Sequence, residues 1–172
     1  MLLLDMDNKI PWCNYENHQI PVLGQNRKLL SGRFDRAVAT MWTTVAFLED
    51  YNNIGKRFYL VQNFEPDFYE PGNHLRIKAN QSYFPRVDIQ CLTISRWCEK
   101  WLETNYGYSV RYAPNGIVKK KFRHYKRDFS GKIRILIEGD CSVYYKNVDE
   151  SFRIVDKLDP EKFEIWYMSY NA

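Results

Sequence analysis

Residues 57–69, RFYLVQNFEPDFY, decide how the rest of the chain is read. The opening RFYLVQ is rich in the aromatic and β-branched side chains that suit a pleated, half-buried strand. The run then breaks into Asn63, Glu65, Pro66 and Asp67. Groups this costly to bury fit best where a strand ends at an edge reached by water or a ligand. In open parallel sheets, ligands bind outside the carboxyl ends of the strands. Two readings therefore stand side by side: the acids line the mouth of a site, or they are solvated loop residues with Pro66 stiffening a turn.

Upstream, DRAVATMW (35–42) has strand character, and TTVAFLEDYNN (43–53) opens a short helix with Thr as its N-cap, closed by Asn52, Asn53 and Gly55. Downstream, NHLRIKANQSY (73–83) reads as a helix and VDIQCLTIS (87–95) as a strand. Ser95 then caps RWCEKWLETNYG (96–107), which ends on a glycine suited to a left-handed cap. Trp97, Trp101 and Leu102 predict a buried stripe there. YSVRYAPNGI (108–117) is a further short strand with a Pro-Asn-Gly turn. This alternation with short connections is the pattern of a parallel α/β sheet. It restarts at KIRILIEGD (132–140), followed by an amphipathic helix with Val148, Phe152 and Val155 on one face, a break at Asp159-Pro160, and the strand KFEIWYMSY (162–170). Two strands and a helix bury too little surface to stand alone. The first 32 residues read as irregular or extended, with a short helix at 27–30. No internal repeat or low-complexity tract interrupts the chain.

The 172 residues have an ordinary globular balance, 45% hydrophobic and 27% charged, which excludes wholesale disorder. Aromatics reach 16%, a load that serves a packed core or a stacking surface equally well. MLLL is too short for a signal-peptide core and runs into Asp5 and Asp7, and no segment approaches membrane-span length, so a cytoplasmic protein is expected. Cys13, Cys91, Cys98 and Cys141 form no C-x-x-C pair, and His18, His74 and His124 are scattered, so free thiols and no metal site are expected. The net charge of +4 is one patch: KKKFRHYKR (119–127) holds six Lys or Arg and no acid. Without it, 25 − 6 = 19 basic residues face 21 acidic ones.

FYLVQNFEPDFY, CLTISRWCEKWLETNYGYSVRYAPNGI and IRILIEGDCSVYYKNVDESFRIVDKL, in that order and spacing, resemble group 1 glycosyltransferases, nearest the bacterial rhamnosyltransferase-like branch that builds surface polysaccharides. The resemblance runs from about Asp35 to the C-terminus. It implies the B-type fold, two Rossmann-like domains facing each other: a partial acceptor-side domain (1–118), a basic linker (119–131) and the first βαβ unit of a nucleotide-sugar domain (132–172). It implies sugar transfer from a nucleotide-sugar donor to a saccharide or lipid-linked acceptor, with no metal or other cofactor. The catalytic base would follow Gln62. Relatives often carry Asp there, whereas this chain has Asn63, which cannot act as a base and moves the role to Glu65. Trp42, Thr43, Gln62 and Asp67 would meet the acceptor, and Asn115, Gly116, Gly139 and Lys146 the donor. Relatives carry Gly-Arg where this chain has Gly139-Asp140, leaving more of the diphosphate to Lys146.

The family's first glycine-rich turn and its downstream acidic motif do not appear, so the resemblance also implies a truncated portion, weakly active or inactive without a separate C-terminal half. The rival reading is an inactive segment or binding module that pairs with another protein or an anionic surface through 119–127. For that segment, a solvated linker ranks first, peripheral membrane contact second and nucleic acid last.

Overall fold

The computed structural model describes residues 2–3, 22–23, 31–126, 128 and 130–169. The expected helix at 27–30 and Cys13 lie outside them. The chain divides into two units, one of residues 1–65 and 78–114, the other of 66–77 and 115–172. The sequence expectation put the boundary at 118. It falls at Pro114, and the excursion 66–77 goes with the second unit, where Phe68 meets Tyr145 at 5.0 Å between ring centroids.

The first unit is built on a four-stranded, wholly parallel sheet, an α/β arrangement of Rossmann-like kind. A short parallel pair, β1 (Leu2–Leu3) and β2 (Val22–Leu23), precedes it. The sheet comprises β3 (Phe34–Ala39), β4 (Ile54–Val61), β5 (Gln90–Thr93) and β6 (Arg111–Tyr112), in that order. Helices α1 (Trp42–Asp50), α2 (His74–Gln81) and α3 (Arg96–Tyr106) connect successive strands. Pairing brings Ala39, Tyr59 and Cys91 into one row, and Val61 and Thr93 into the next. All five are buried, and they share a core with Val45 and Leu48 of α1, Leu102 of α3 and Tyr83 after α2. The neighbours along the strands, Phe58, Leu60 and Leu92, are only half-buried, and Val38 is exposed. Sequential strand order fits the asymmetry: crossovers of one hand that never reverse direction bring α1 and α3 to the same face, where Val45, Leu48 and Leu102 join the core. The reversal of order that opens a ligand crevice in doubly wound sheets is absent among the described strands.

Local signals are realised where they are strong. Ser95 accepts hydrogen bonds from the amides of Trp97 and Cys98, and Gly107 takes φ +70° and closes α3 through its amide to the Glu103 carbonyl. The buried stripe of that helix is Cys98 and Leu102, not Trp97, which is 59% exposed and stacks on half-buried Trp101 at 5.9 Å. Spacing alone could not choose between two apolar stripes one residue apart.

The start of α1 also differs from expectation. β3 stops at Ala39, so Trp42 opens the helix and does not end a strand, and the N-cap is Met41, not a threonine. Thr44 contributes from inside the helix: its Oγ1 accepts from the amides of Thr40 (3.2 Å) and Met41 (3.3 Å) and donates to the Met41 carbonyl.

The second unit holds β7 (Ile133–Glu138) and β8 (Phe163–Met168), paired in parallel over six residues, with α4 (Val148–Val155) between them. The expected inner face of α4 is present: Val148 is buried, Phe152 and Val155 are half-buried, and Phe152 meets Tyr167 edge-on at 5.2 Å. Of the two strands, only Ile137 is buried; Leu136, Trp166 and Met168 are exposed.

Candidate functional site

The candidate site in the first unit forms where β3 and β4 end side by side. Beyond Ala39 the chain turns through Thr40 and Met41 into α1, and beyond Val61 it runs through Gln62 and Asn63 to a single 3₁₀ turn, Glu65–Phe68. The parallel register that aligns Ala39 with Tyr59 carries both turns to the same edge. Gln62 Nε2 donates to the Thr40 carbonyl at 3.0 Å, tying the two strand ends together.

Glu65 is the centre of this edge, and its burial corrects the alternative of a solvated loop acid. It is 2% exposed. Its Oε2 accepts from the Trp42 amide at 2.5 Å and from the Tyr59 hydroxyl at 3.0 Å. Its own amide donates to the Tyr83 hydroxyl at 3.1 Å, and Tyr83 in turn reaches the Asn63 carbonyl at 3.3 Å. Tyr59 also lies 3.4 Å from Ser82 Oγ, which donates to the Ala79 carbonyl.

The physical need behind this arrangement is the start of α1. The first amides of a helix have no partner within it, and Met41 offers no strong acceptor, so a carboxyl from 23 residues away supplies one. Arg57 does the reverse at the other end, donating to the carbonyls of Leu48 (2.7 Å), Tyr51 (3.0 Å) and Ile54 (3.3 Å). One segment thus places an acid at the positive end of the α1 dipole and a base at the negative end.

Oε1 of Glu65 accepts no hydrogen bond from the described residues. Burial raises the pKa of Glu65 above its ordinary 4.5, and the hydrogen bonds from Trp42 and Tyr59 pull it part of the way back. Burial also raises both tyrosines, with the neighbouring carboxyl adding to the effect on Tyr59.

The edge brings together five of the residues singled out from sequence: Trp42, Thr43, Gln62, Asn63 and Glu65. Asn63 spends its side-chain oxygen on the Phe64 amide at 2.9 Å. Asp67 is exposed and paired with Arg76 at 2.6 Å, within the second unit. Tyr59, Tyr83 and Ser82 were missed. Buried hydroxyls look like any core aromatic or loop serine in one dimension, although Met41 at a helix start was a sign that an acceptor had to come from elsewhere.

Within the second unit, Gly139 and Lys146 meet at the carboxyl end of β7. Gly139 takes φ +152°, and a Cβ there would lie 2.8 Å from Val148 Cγ2 and 3.4 Å from Lys146 Cβ. Strand–helix packing therefore demands the glycine. Lys146 ends a 3₁₀ turn (Tyr144–Lys146), and its ammonium lies 3.7 Å from Glu138. Asn115 and Gly116 are exposed in the irregular stretch beyond β6.

Among the described residues, no group of three or more His, Cys, Asp or Glu side chains is placed to hold a metal. Cys91, Cys98 and Cys141 are free thiols, and burial pushes Cys91 up to about 11. His74 and His124 are exposed. No described helix is long and apolar enough to cross a membrane. Comparison with protein-family models, curated proteins and solved structures finds no match to this chain.

Proposed function

We propose that the chain is a glycosyltransferase segment of the B-type fold, in which the edge formed by β3 and β4 handles a sugar acceptor and Glu65 takes the proton from its attacking hydroxyl. The observation that carries this reading is the division of labour within one carboxyl. Oε2 is pinned by the Trp42 amide and the Tyr59 hydroxyl, Oε1 accepts no hydrogen bond from the described residues, and the pKa is raised. A general base works best when its pKa lies near the working pH and its geometry is held in advance. Gln62 and Asn63 beyond β4 and Thr43 at the start of α1 carry amide and hydroxyl groups of the sort that bind sugar hydroxyls. The nucleotide-sugar side falls to the second unit, through Gly139, Lys146, Asn115 and Gly116.

Glu65→Gln is the direct test, because Gln keeps an acceptor for Trp42 and Tyr59 while removing the base. With transfer measured on a panel of nucleotide sugars, in the presence of any chain that restores activity, the variant is expected to lose about 100-fold or more in rate while remaining folded. Transfer at the wild-type rate by Glu65→Gln would overturn the assignment.

A second reading, that the chain works by pairing with another polypeptide, is favoured by the exposed apolar side chains of β7 and β8. It predicts a stoichiometric partner whose binding protects Trp166 from quenching by iodide; unchanged quenching in the complex would count against it.

A further inference from the structure

Residues 117–126, in the second unit, read IVKKKFRHYK, and the structure leaves all ten exposed. The amides of Lys121 and Phe122 both donate to the Val118 carbonyl, at 2.8 and 3.0 Å. A tight turn therefore presents Lys119, Lys120 and Lys121 at its tip, with Val118 and Phe122 at its base. Lys119, Lys120, Lys121, Arg123 and Lys126 have no ion-pair partner among the described residues, although carboxylates neutralise Arg76, Arg86, Arg96, Arg134 and Arg153. The sequence has no acid from 104 to 127, and the next one, Asp128, accepts from the Ser130 amide and hydroxyl. Beside these charges, Ile117, Val118, Phe122 and Tyr125 are 55–74% exposed.

We propose that residues 117–126 are a peripheral membrane-binding turn that docks on an anionic lipid surface. The combination selects the partner. Five cations within eight residues, three of them consecutive in the turn, form one charged segment, which anionic headgroups attract. Exposed aliphatic and aromatic side chains beside the cations gain by entering the boundary between headgroups and acyl chains. Single-stranded nucleic acid would use the cations and the two aromatic rings, but it offers Ile117 and Val118 nothing to stack on, and it favours a groove over a protruding turn. This inference does not depend on Glu65 or on any sugar chemistry.

The test is co-sedimentation of the full chain with vesicles of phosphatidylcholine alone and with about 30% phosphatidylglycerol, and fluorescence anisotropy with a labelled single-stranded oligonucleotide as competitor. Anionic vesicles are expected to bind at least ~10-fold tighter than neutral ones, and less tightly as salt rises. Replacing Lys119, Lys120 and Lys121 together by Gln is expected to lower that affinity about 100-fold. Ile117→Ser with Phe122→Ser should weaken vesicle binding at every salt concentration, while leaving oligonucleotide binding less affected than the lysine changes do. Equal binding to neutral and anionic vesicles, wild-type binding by either variant, or an oligonucleotide bound more tightly than the anionic vesicles would overturn the proposal. All five substituted side chains are exposed, so the variants retain the fold.

Discussion

In the first unit, Tyr59, Val61, Cys91 and Thr93 are each sealed between the sheet and its helices; in the second, β7 and β8 bury Ile137 and expose Leu136, Trp166, Tyr167 and Met168. Both units are parallel strands joined by a crossover helix, so the contrast is not one of motif. It is one of number. Four strands give α1 and α3 one shared face to cover, and the side chains of that face close into a single core. Two strands and the eight residues of α4 cover little. Parallel sheets ordinarily have both faces covered, which makes β7 and β8 the part of the molecule whose surface asks for further packing.

The largest expected effect sharpens this contrast. Leu102 is fully buried and Leu136 is 56% exposed, so the same leucine-to-alanine change samples the two environments. Leu102→Ala is expected to cost about 2–5 kcal/mol in urea unfolding, and Leu136→Ala to stay within about 0.5 kcal/mol. Comparable losses would mean that β7 is packed as tightly as the first core.

A smaller effect concerns the carboxyl at the edge of the first unit. Its pKa is raised in the fold, so the folded state holds the proton more tightly than the unfolded chain does. The stability it contributes is complete below 4.5 and is lost as pH rises through its folded value. The difference in urea midpoint between wild type and Glu65→Gln, followed from about pH 4 to about pH 8, should therefore move against the wild type as pH rises. A difference that stays flat, or moves the other way, would show that the carboxyl is not held as described.

The smallest effect lies on the open sheet of the second unit, where Arg134 meets Glu164 across β7 and β8 at 3.1 Å with both side chains largely exposed. Arg134→Ala is expected to leave the urea midpoint close to that of the wild type, and closer still in high salt. A larger loss would indicate that this strand pair is better shielded than its exposed side chains suggest.

How far the sequence could be read followed the range of the interactions involved. Ser95 and Gly107 bracket α3 through bonds spanning two to four residues, and both roles were legible from residue type and position. The strands β4, β5 and β7 announced themselves by composition, and Val148, Phe152 and Val155 by helical spacing. Trp97 failed because a hydrophobic stripe and its neighbour differ by one residue, and only the packing of α3 chose Cys98 and Leu102. Glu65 failed as a solvated acid for a different reason. Its partners are the Trp42 amide, 23 residues back, and the Tyr59 hydroxyl, which a local reading counts as core.

By itself, then, the amino-acid order determined the alternation of strands and helices, the parallel α/β class, the caps made within a few residues, and the single concentration of positive charge at 119–127. Tertiary structure alone decided that Arg57 and Glu65 hold α1 at its two ends, that Tyr59 and Tyr83 bond to Glu65, and that one face of the first sheet is sealed while β7 and β8 stay open. The physical reason is that propensity and periodicity act over a turn or two of chain. A helix end satisfied from another strand exists only once register has brought those strands together.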